Sequence, residues 1–373
     1  MTKVLQLSII MLFTLTACIT GNVVREDTIK LGGVYGLTGI VADWGQGELE
    51  ATVLAIEEIN EKGGVNGKRI SLVVEDMKSS QTGVLTSTRK LITVDNVDAI
   101  IGPSWLETYA SAASLSDEHD IIMVTPSTAI GALERDIDFK NIFSTLHSGR
   151  DQFRELLRYM ATQEVDEIVL LYAQEPYWMD IMAHVKKDVI LYNITILDEI
   201  TFAPGETDLR TAIVRAREQQ PEGILWGTLD DSSYTAFLKQ RKELYPEAVL
   251  YTERTIETFV NSGEYDDVLY DIYYSAPSDI DETFVQRYET RWGHLPQTTT
   301  PNAYDATMIV IEAMQEGNMD AGSIRNYLNE NEFNTVTFGK ISFDKQGGIA
   351  DGKFDIKLVS GNGIEVVSYH YDV

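Results

Sequence analysis

From Thr28 onward, short apolar runs of strand character alternate with longer segments whose apolar residues recur at the helical period, and this alternation constrains the fold most. A first series has strand candidates at 29–35, 70–75, 99–102 and 121–125, separated by helical patterns over 47–62, 83–95 and 107–119. Strands alternating with helices of such length build βαβ units and a parallel sheet. In the helix over 47–62, Ala51, Leu54, Ala55, Glu58 and Ile59 share one face and four of these five are apolar, so that face is expected to pack on a sheet. Gly63-Gly64 closes the helix, because glycine enters the left-handed C-cap conformation without a Cβ clash. A second series runs helix 151–163, strand 167–172, helix 178–188, strand 194–202, helix 208–219, strand 223–227, helix 232–244 and strand 249–252. Two such series predict two α/β lobes. The tail reads as strands at 337–343, 352–360 and 364–369, with glycine turns at Gly347-Gly348 and Gly361-Asn362-Gly363. No proline-rich or low-complexity linker separates the series, so several ordered crossings are expected to join the lobes.

At 373 residues, 44% hydrophobic and 24% charged, the chain is long enough for two domains and is neither disordered nor collagen-like. Its 58 acidic and 30 basic residues give a formal charge of −28, which repels phosphate backbones and anionic headgroups and argues against nucleic-acid binding. The single cysteine excludes an internal disulfide, a thiolate metal cluster and a Cys-x-x-Cys pair. It is Cys18, which follows an apolar stretch over 4–17 preceded by Lys3. That stretch is shorter than the ~20 residues a bilayer span needs, and Gln6, Ser8, Thr14 and Thr16 break it. It reads as a signal peptide over 1–17. Leu15-Thr16-Ala17-Cys18 resembles the lipobox of exported lipoproteins, which makes Cys18 the expected lipidation site and 18–27 a tether. The expected location is extracytoplasmic, anchored to the cell membrane through lipid.

Catalytic signatures do not emerge. The chain has no Gly-x-Ser-x-Gly elbow, Ser-x-x-Lys or His-Glu-x-x-His. His119, His147, His184, His294 and His370 are scattered singly, with no histidine partner at metal-ligand spacing. Gly45-Gln46-Gly47 lacks the third glycine and the preceding strand of a phosphate cradle. Adjacent acids such as Glu57-Glu58, Asp230-Asp231 and Asp266-Asp267 arise by chance among 58 carboxylates. No enzyme activity, metal or cofactor is expected.

A family likeness covers nearly the whole mature chain. It rests on Leu31-Gly32-Gly33-Val34-Tyr35-Gly36-Leu37-Thr38-Gly39, Trp44-Gly45 and the run from Ala55 through Asn60-Glu61-Lys62-Gly63-Gly64-Val65-Asn66-Gly67. Further pieces are Ile100-Ile101-Gly102-Pro103-Ser104, Val124-Thr125-Pro126-Ser127-Thr128-Ala129, Ala303-Tyr304-Asp305-Ala306 and Phe338-Gly339-Lys340-Ile341-Ser342-Phe343 with Gly347-Gly348. In this order and spacing they resemble the type I periplasmic binding proteins of the leucine/isoleucine/valine-binding branch. The resemblance implies two doubly wound α/β lobes, joined by three crossing segments and closing on a small ligand, and docking on an ABC permease complex. Carried onto this chain, lobe one comprises 28–146 and 276–351, and lobe two 147–275 and 352–373.

The same resemblance implies the site. A ligand carboxylate would meet backbone amides at a helix start, here Trp105, Leu106 and Glu107, and the turn Ser127, Thr128 and Ala129, since a helix N-terminus suits an anion. Leu106 and Ala129 stand where the family carries hydroxyls, and the Glu107 charge would compete with a ligand carboxylate. Glu253 matches the acid that pairs with a ligand ammonium, the alternative being a rim glutamate beside Arg254. Asp230 and Asp231 lie at the cleft edge, and Asp231 before Ser232 also reads as a helix N-cap. Trp44 and Tyr177, read as loop residues, match cleft aromatics; Trp105 adds bulk, and Leu229 replaces a frequent tyrosine. The expected ligand is an amino acid or similar small polar molecule, with the acids favouring a positively charged group. Alternative readings are a sensing module of this fold coupled to a signalling partner and a lipid-anchored enzyme.

Overall fold

A computed structural model describes residues 28–129, 139–277, 280–297, 299–350, 354–361 and 363–368. Cys18 and the expected signal peptide and tether lie outside the described residues. The first series is β1 (Ile29–Tyr35), α1 (Ala42–Glu61), β2 (Ile70–Asp76), α2 (Gln81–Lys90), β3 (Ala99–Ile101), α3 (Leu106–Glu118), β4 (Met123–Thr125) and β5 (Ile142–Ser144). The second is α4 (Gly149–Thr162), β6 (Glu167–Ala173), α5 (Pro176–Asp188), β7 (Thr195–Phe202), α6 (Arg210–Glu218), β8 (Gly223–Gly227), α7 (Asp231–Leu244), β9 (Leu250–Glu253), α8 (Ile256–Ser262) and β10 (Ile272–Pro277). There follow α9 (Glu282–Trp292), α10 (Thr300–Gln315), α11 (Ala321–Glu330), β11 (Phe333–Thr335), β12 (Gly339–Ile341), β13 (Phe354–Ser360) and β14 (Gly363–Ser368).

Two sheets organise these elements. The first has five strands in the order β2-β1-β3-β4-β5, all parallel. The second has seven, β14-β13-β10-β9-β8-β6-β7, with β13 and β14 antiparallel at one edge. The central strands are apolar on both faces because helices cover both. In β6, Val169, Leu171 and Ala173 pack into one core with Ile213 and Phe237, while Ile168, Leu170 and Tyr172 pack into another with Leu156 and Ile181. The chain passes between the sheets after β5, after β10 and before β13.

Several sequence expectations shift. The helix expected from 47 begins at Ala42, so Trp44 lies on its first turn, and Tyr177 lies on the first turn of α5, neither on a loop. A Cβ on Gly45 would stand 2.3 Å from the Gly36 carbonyl oxygen, and one on Gly47 would stand 2.4 Å from Thr300 Oγ1. These glycines let α1 settle against the end of β1 and against α10. The strand expected over 337–343 is reduced to β12, which pairs only with β11. α8 to α11 escaped the sequence reading. In α10 the reason is burial on nearly every side: Asn302, Asp305 and Thr307 are as enclosed as Ile309 and Val310, so no polar stripe marks the helix. Glu57 and Glu58 do not simply face solvent: Glu57 Oε2 accepts from Arg291 Nε at 2.9 Å, and Glu58 pairs with Arg287, clamping α9 onto α1.

Candidate functional site

The residues singled out above gather at the carboxyl ends of β1, β3, β4, β6, β8 and β9, on the connecting loops, on the first turns of α1, α3, α5 and α7, and, for Glu253, on the last position of β9, at the edge where open α/β sheets collect ligands. Their hydrogen bonds form two sets, one on each lobe.

On the first lobe, Trp105 is the N-cap of α3 but supplies no side-chain cap, so the orphan amides of that helix start are not closed by it. Trp105 holds φ at +80°, a strained value for a side chain with a Cβ. Its own N–H is already engaged: it donates to Ser127 Oγ at 3.1 Å. Thr125 Oγ1 donates to the Pro103 carbonyl at 2.8 Å, which fastens the turn after β4 to the loop after β3. Thr128 is fully buried and its Oγ1 has no hydrogen-bond partner. Ala129 is buried beside it and brings no donor side chain. Leu106 opens α3, while the side chains of Leu106 and Glu107 lie outside the described part of the structure. Trp44 is 44% exposed and available for contact.

Glu48, which the sequence reading passed over, joins this end. It is fully buried on α1, and its carboxylate accepts from Ser104 Oγ, which in turn accepts from the Gly36 N–H at 3.2 Å. Its other oxygen, Oε1, has no hydrogen-bond partner. The signal was present: Glu48 stands three residues before Ala51 and seven before Ala55, on the face expected to pack inward.

On the second lobe, Glu253 is the last residue of β9 and is buried. It accepts from Tyr177 Oη at 2.8 Å and from Thr255 Oγ1 at 2.9 Å. Burial pushes its carboxyl above the ordinary range, the two hydroxyls oppose that rise, and the Glu175 charge adds to it. Burial likewise raises the Tyr177 hydroxyl, followed by the Glu253 charge. Arg254 does not neutralise Glu253; its Nε donates to Glu257 at 2.8 Å. Glu175, missed in the sequence, accepts from the Leu229 N–H at 2.8 Å and from Thr228 Oγ1 at 3.2 Å, holding the loop after β8. Leu229 itself projects from that loop, 56% exposed. Asp230 caps α7 by accepting from the Ser233 N–H at 2.8 Å, so the cap is Asp230 and not Asp231. Among the described residues, no group of three or more histidine, cysteine or acidic residues is placed to hold a metal ion.

Among the described residues, the arrangement therefore offers a helix start without a side-chain cap and a buried unpartnered hydroxyl on one lobe, and a buried carboxylate without a cation on the other. Known proteins share this architecture. The profile of the periplasmic binding protein family matches residues 28–361. The leucine-, isoleucine-, valine-, threonine- and alanine-binding protein of Pseudomonas aeruginosa is 24% identical, over 88% of this chain and 89% of its own length. A branched-chain amino acid transporter substrate binding protein of Streptococcus pneumoniae, solved in complex with isoleucine, superposes with a TM-score of 0.74 at 22% identity, covering 91% of this chain and 99% of that one. A solute binding protein from R. palustris in complex with benzoate superposes with a TM-score of 0.73 at 16% identity, covering 92% and 96%. These likenesses establish the two-lobed type I periplasmic binding fold. A chain that folds in this way and matches the family profile from residue 28 to residue 361 belongs to the periplasmic binding proteins, a family of extracytoplasmic solute-binding receptors.

Proposed function

We propose that this chain is the extracytoplasmic substrate-binding receptor of an ABC importer and closes its lobes around an amino acid or a similar small polar ligand. The observation that carries this reading is Glu253: a buried carboxylate held by two hydroxyls and, among the described residues, by no cation is completed by an ammonium group. The opposite lobe offers the ligand carboxylate the start of α3, Ser127 and Thr128, with Trp44, Trp105, Tyr177 and Leu229 lining the side chain. Contacts made with both lobes favour the closed form. Relatives named for branched-chain amino acids and for benzoate support a carboxylate-bearing ligand. The two sheets support lobes close to 28–146 with 276–351 and 147–275 with 352–373, except that Ala276 and Pro277 still belong to β10 of the second sheet, so that this crossing falls beyond Pro277.

Calorimetric titration with an amino-acid panel tests the reading. Glu253→Ala is expected to lose about two to five kcal/mol of binding to an ammonium-bearing ligand, as when one partner of a buried charge pair is removed. Wild-type affinity in that variant would remove the ammonium pairing. Lipid attachment at Cys18 belongs to the same proposal, and Cys18→Ser is expected to release the mature protein from the membrane fraction. Retention of that variant on the membrane would refute the anchor.

A further inference from the structure

Glu48 lies under the end of the cleft where the proposed ligand carboxylate sits. Its Ser104 partner directly precedes Trp105, and the hydroxyls of Ser127 and Thr299 lie beside its carboxyl and stabilise the charge. Neither closes a hydrogen bond with Oε1, and Thr299 Oγ1 at the start of α10 is also unpartnered. From β1 the only facing titratable group is Tyr35, whose hydroxyl donates to Thr52 Oγ1 at 2.8 Å. Among the described residues, the loop after β3, the turn after β4 and the start of α10 present to it the hydroxyls of Ser104, Ser127 and Thr299. Among the described residues no lysine, arginine or histidine counters Glu48. Two carboxylates sharing such a place repel unless one is neutral.

We infer that Glu48 is the positioning residue of the anion end, and that it takes up a proton from solvent when a carboxylate-bearing ligand occupies that end. The inference rests on the placement of the ligand carboxylate at Ser127 and Thr128. Once protonated, Glu48 keeps its place against Ser104 and gains a donor on a carboxyl that otherwise only accepts. Burial already pushes it up to about 7, so a second negative charge nearby needs little more to neutralise it.

Glu253 has the opposite dependence. It must be charged to hold an ammonium group, so it weakens binding on the acid side, whereas Glu48 weakens it on the alkaline side. Calorimetry separates them, with isoleucine and benzoate as probes in buffers of different ionisation enthalpy. For the wild type, affinity for both probes is expected to fall above about pH 7 by up to tenfold per pH unit, with close to one proton taken up per ligand. In Glu48→Gln the alkaline limb flattens and the uptake vanishes. Ser104→Ala, which removes a donor to the charged form, moves the limb to higher pH. Benzoate, lacking an ammonium group, shows no acid limb from Glu253. The wild-type uptake needs no variant and stands whether or not Glu48→Gln folds. Isoleucine binding without uptake, with equal alkaline limbs in wild type and Glu48→Gln, overturns the role of Glu48 and leaves the receptor reading intact. Benzoate binding with Glu48-dependent uptake, but no binding of any amino acid, overturns the amino-acid reading and keeps Glu48. Failure of every carboxylate to bind overturns both.

Discussion

Among the described residues no cation counters the buried Glu253 carboxylate, so donors must hold its charge, and it has two, of which the Tyr177 hydroxyl at 2.8 Å comes from the first turn of α5. In the proposed site the Tyr177 ring borders the ligand, and its hydroxyl opposes the upward shift that burial imposes on the Glu253 carboxyl. Removing the hydroxyl takes a donor from the charged form and raises the Glu253 carboxyl further. Tyr177→Phe is thus expected to weaken an ammonium-bearing ligand by about tenfold or more, the value of one hydrogen bond to a charged group. The loss should grow as pH falls, because more of the variant's Glu253 is then protonated than of the wild type's. Titration calorimetry across a pH series checks this, and a loss independent of pH would show that Tyr177 serves only as a contact surface. Leu229 has no such partner role; only its backbone N–H is engaged, by Glu175.

Elements buried on both faces were readable from sequence, since an unbroken apolar run such as 168–173 between helical patterns admits little besides a central strand. Helix starts were less so: α1 opens with a tryptophan and two glycines whose fitness depends on Gly36 and Thr300. α10 hid for the same reason, because Asp305 has the chemistry of a surface residue and the burial of a core one. Its carboxylate accepts from the Val336 N–H at 2.8 Å, the Thr337 N–H at 3.2 Å and Thr337 Oγ1 at 2.6 Å, fastening the segment before β12 to the helix. Asp305→Ala leaves these donors buried and unpaired, at ~1–3 kcal/mol each. A loss of about 3 kcal/mol or more in urea unfolding is expected; a loss below about 1 kcal/mol would mean that the segment finds other acceptors. The site divides similarly. Glu253 and the turn 127–129 entered through family resemblance, whereas Glu48 was passed over although it stands as a charge on an apolar stripe. The Tyr177–Glu253 bond spans 76 positions, and no local pattern announces a contact at that separation.

At the scale of the whole molecule, buried ionisable groups set opposing pH dependences. Burial drives the His147 ring, wedged at the first crossing between Phe338 and Phe354 at centroid distances of 5.4 and 5.3 Å, down from 6.5 to about 3, with the Arg254 charge assisting. The unfolded chain therefore binds this proton first, and the stability tied to a neutral His147 is lost as pH falls below about 6.5. Glu48 and Asp305 act in the other direction. Burial raises them from 4.5 and 3.8 to about 7, so the folded chain holds their protons longer and stability falls as pH rises toward about 7. At ~1.4 kcal/mol per unit, these two groups falling against His147 rising contribute a loss of ~3 kcal/mol between about pH 5 and about pH 8, and the raised Glu253 carboxyl adds to it with the same sign. The surface contributes with the same sign, because a chain of formal charge −28 repels itself more as its carboxylates ionise. Salt separates the two contributions, since a Debye length of ~3 Å at about 1 M screens exposed charges and leaves the cost of burying a charge in place. The melting temperature is accordingly expected to fall by several degrees from about pH 5 to about pH 8 at low salt, and by less, but still measurably, in about 1 M sodium chloride. Glu48→Gln should shrink the part of the fall that salt leaves, whereas His147→Gln, by deleting the opposing group, should steepen it. Calorimetric melting of the three proteins at both salt concentrations decides the matter: a pH dependence abolished by salt alone would assign the whole effect to the acidic surface and none to the buried carboxyls.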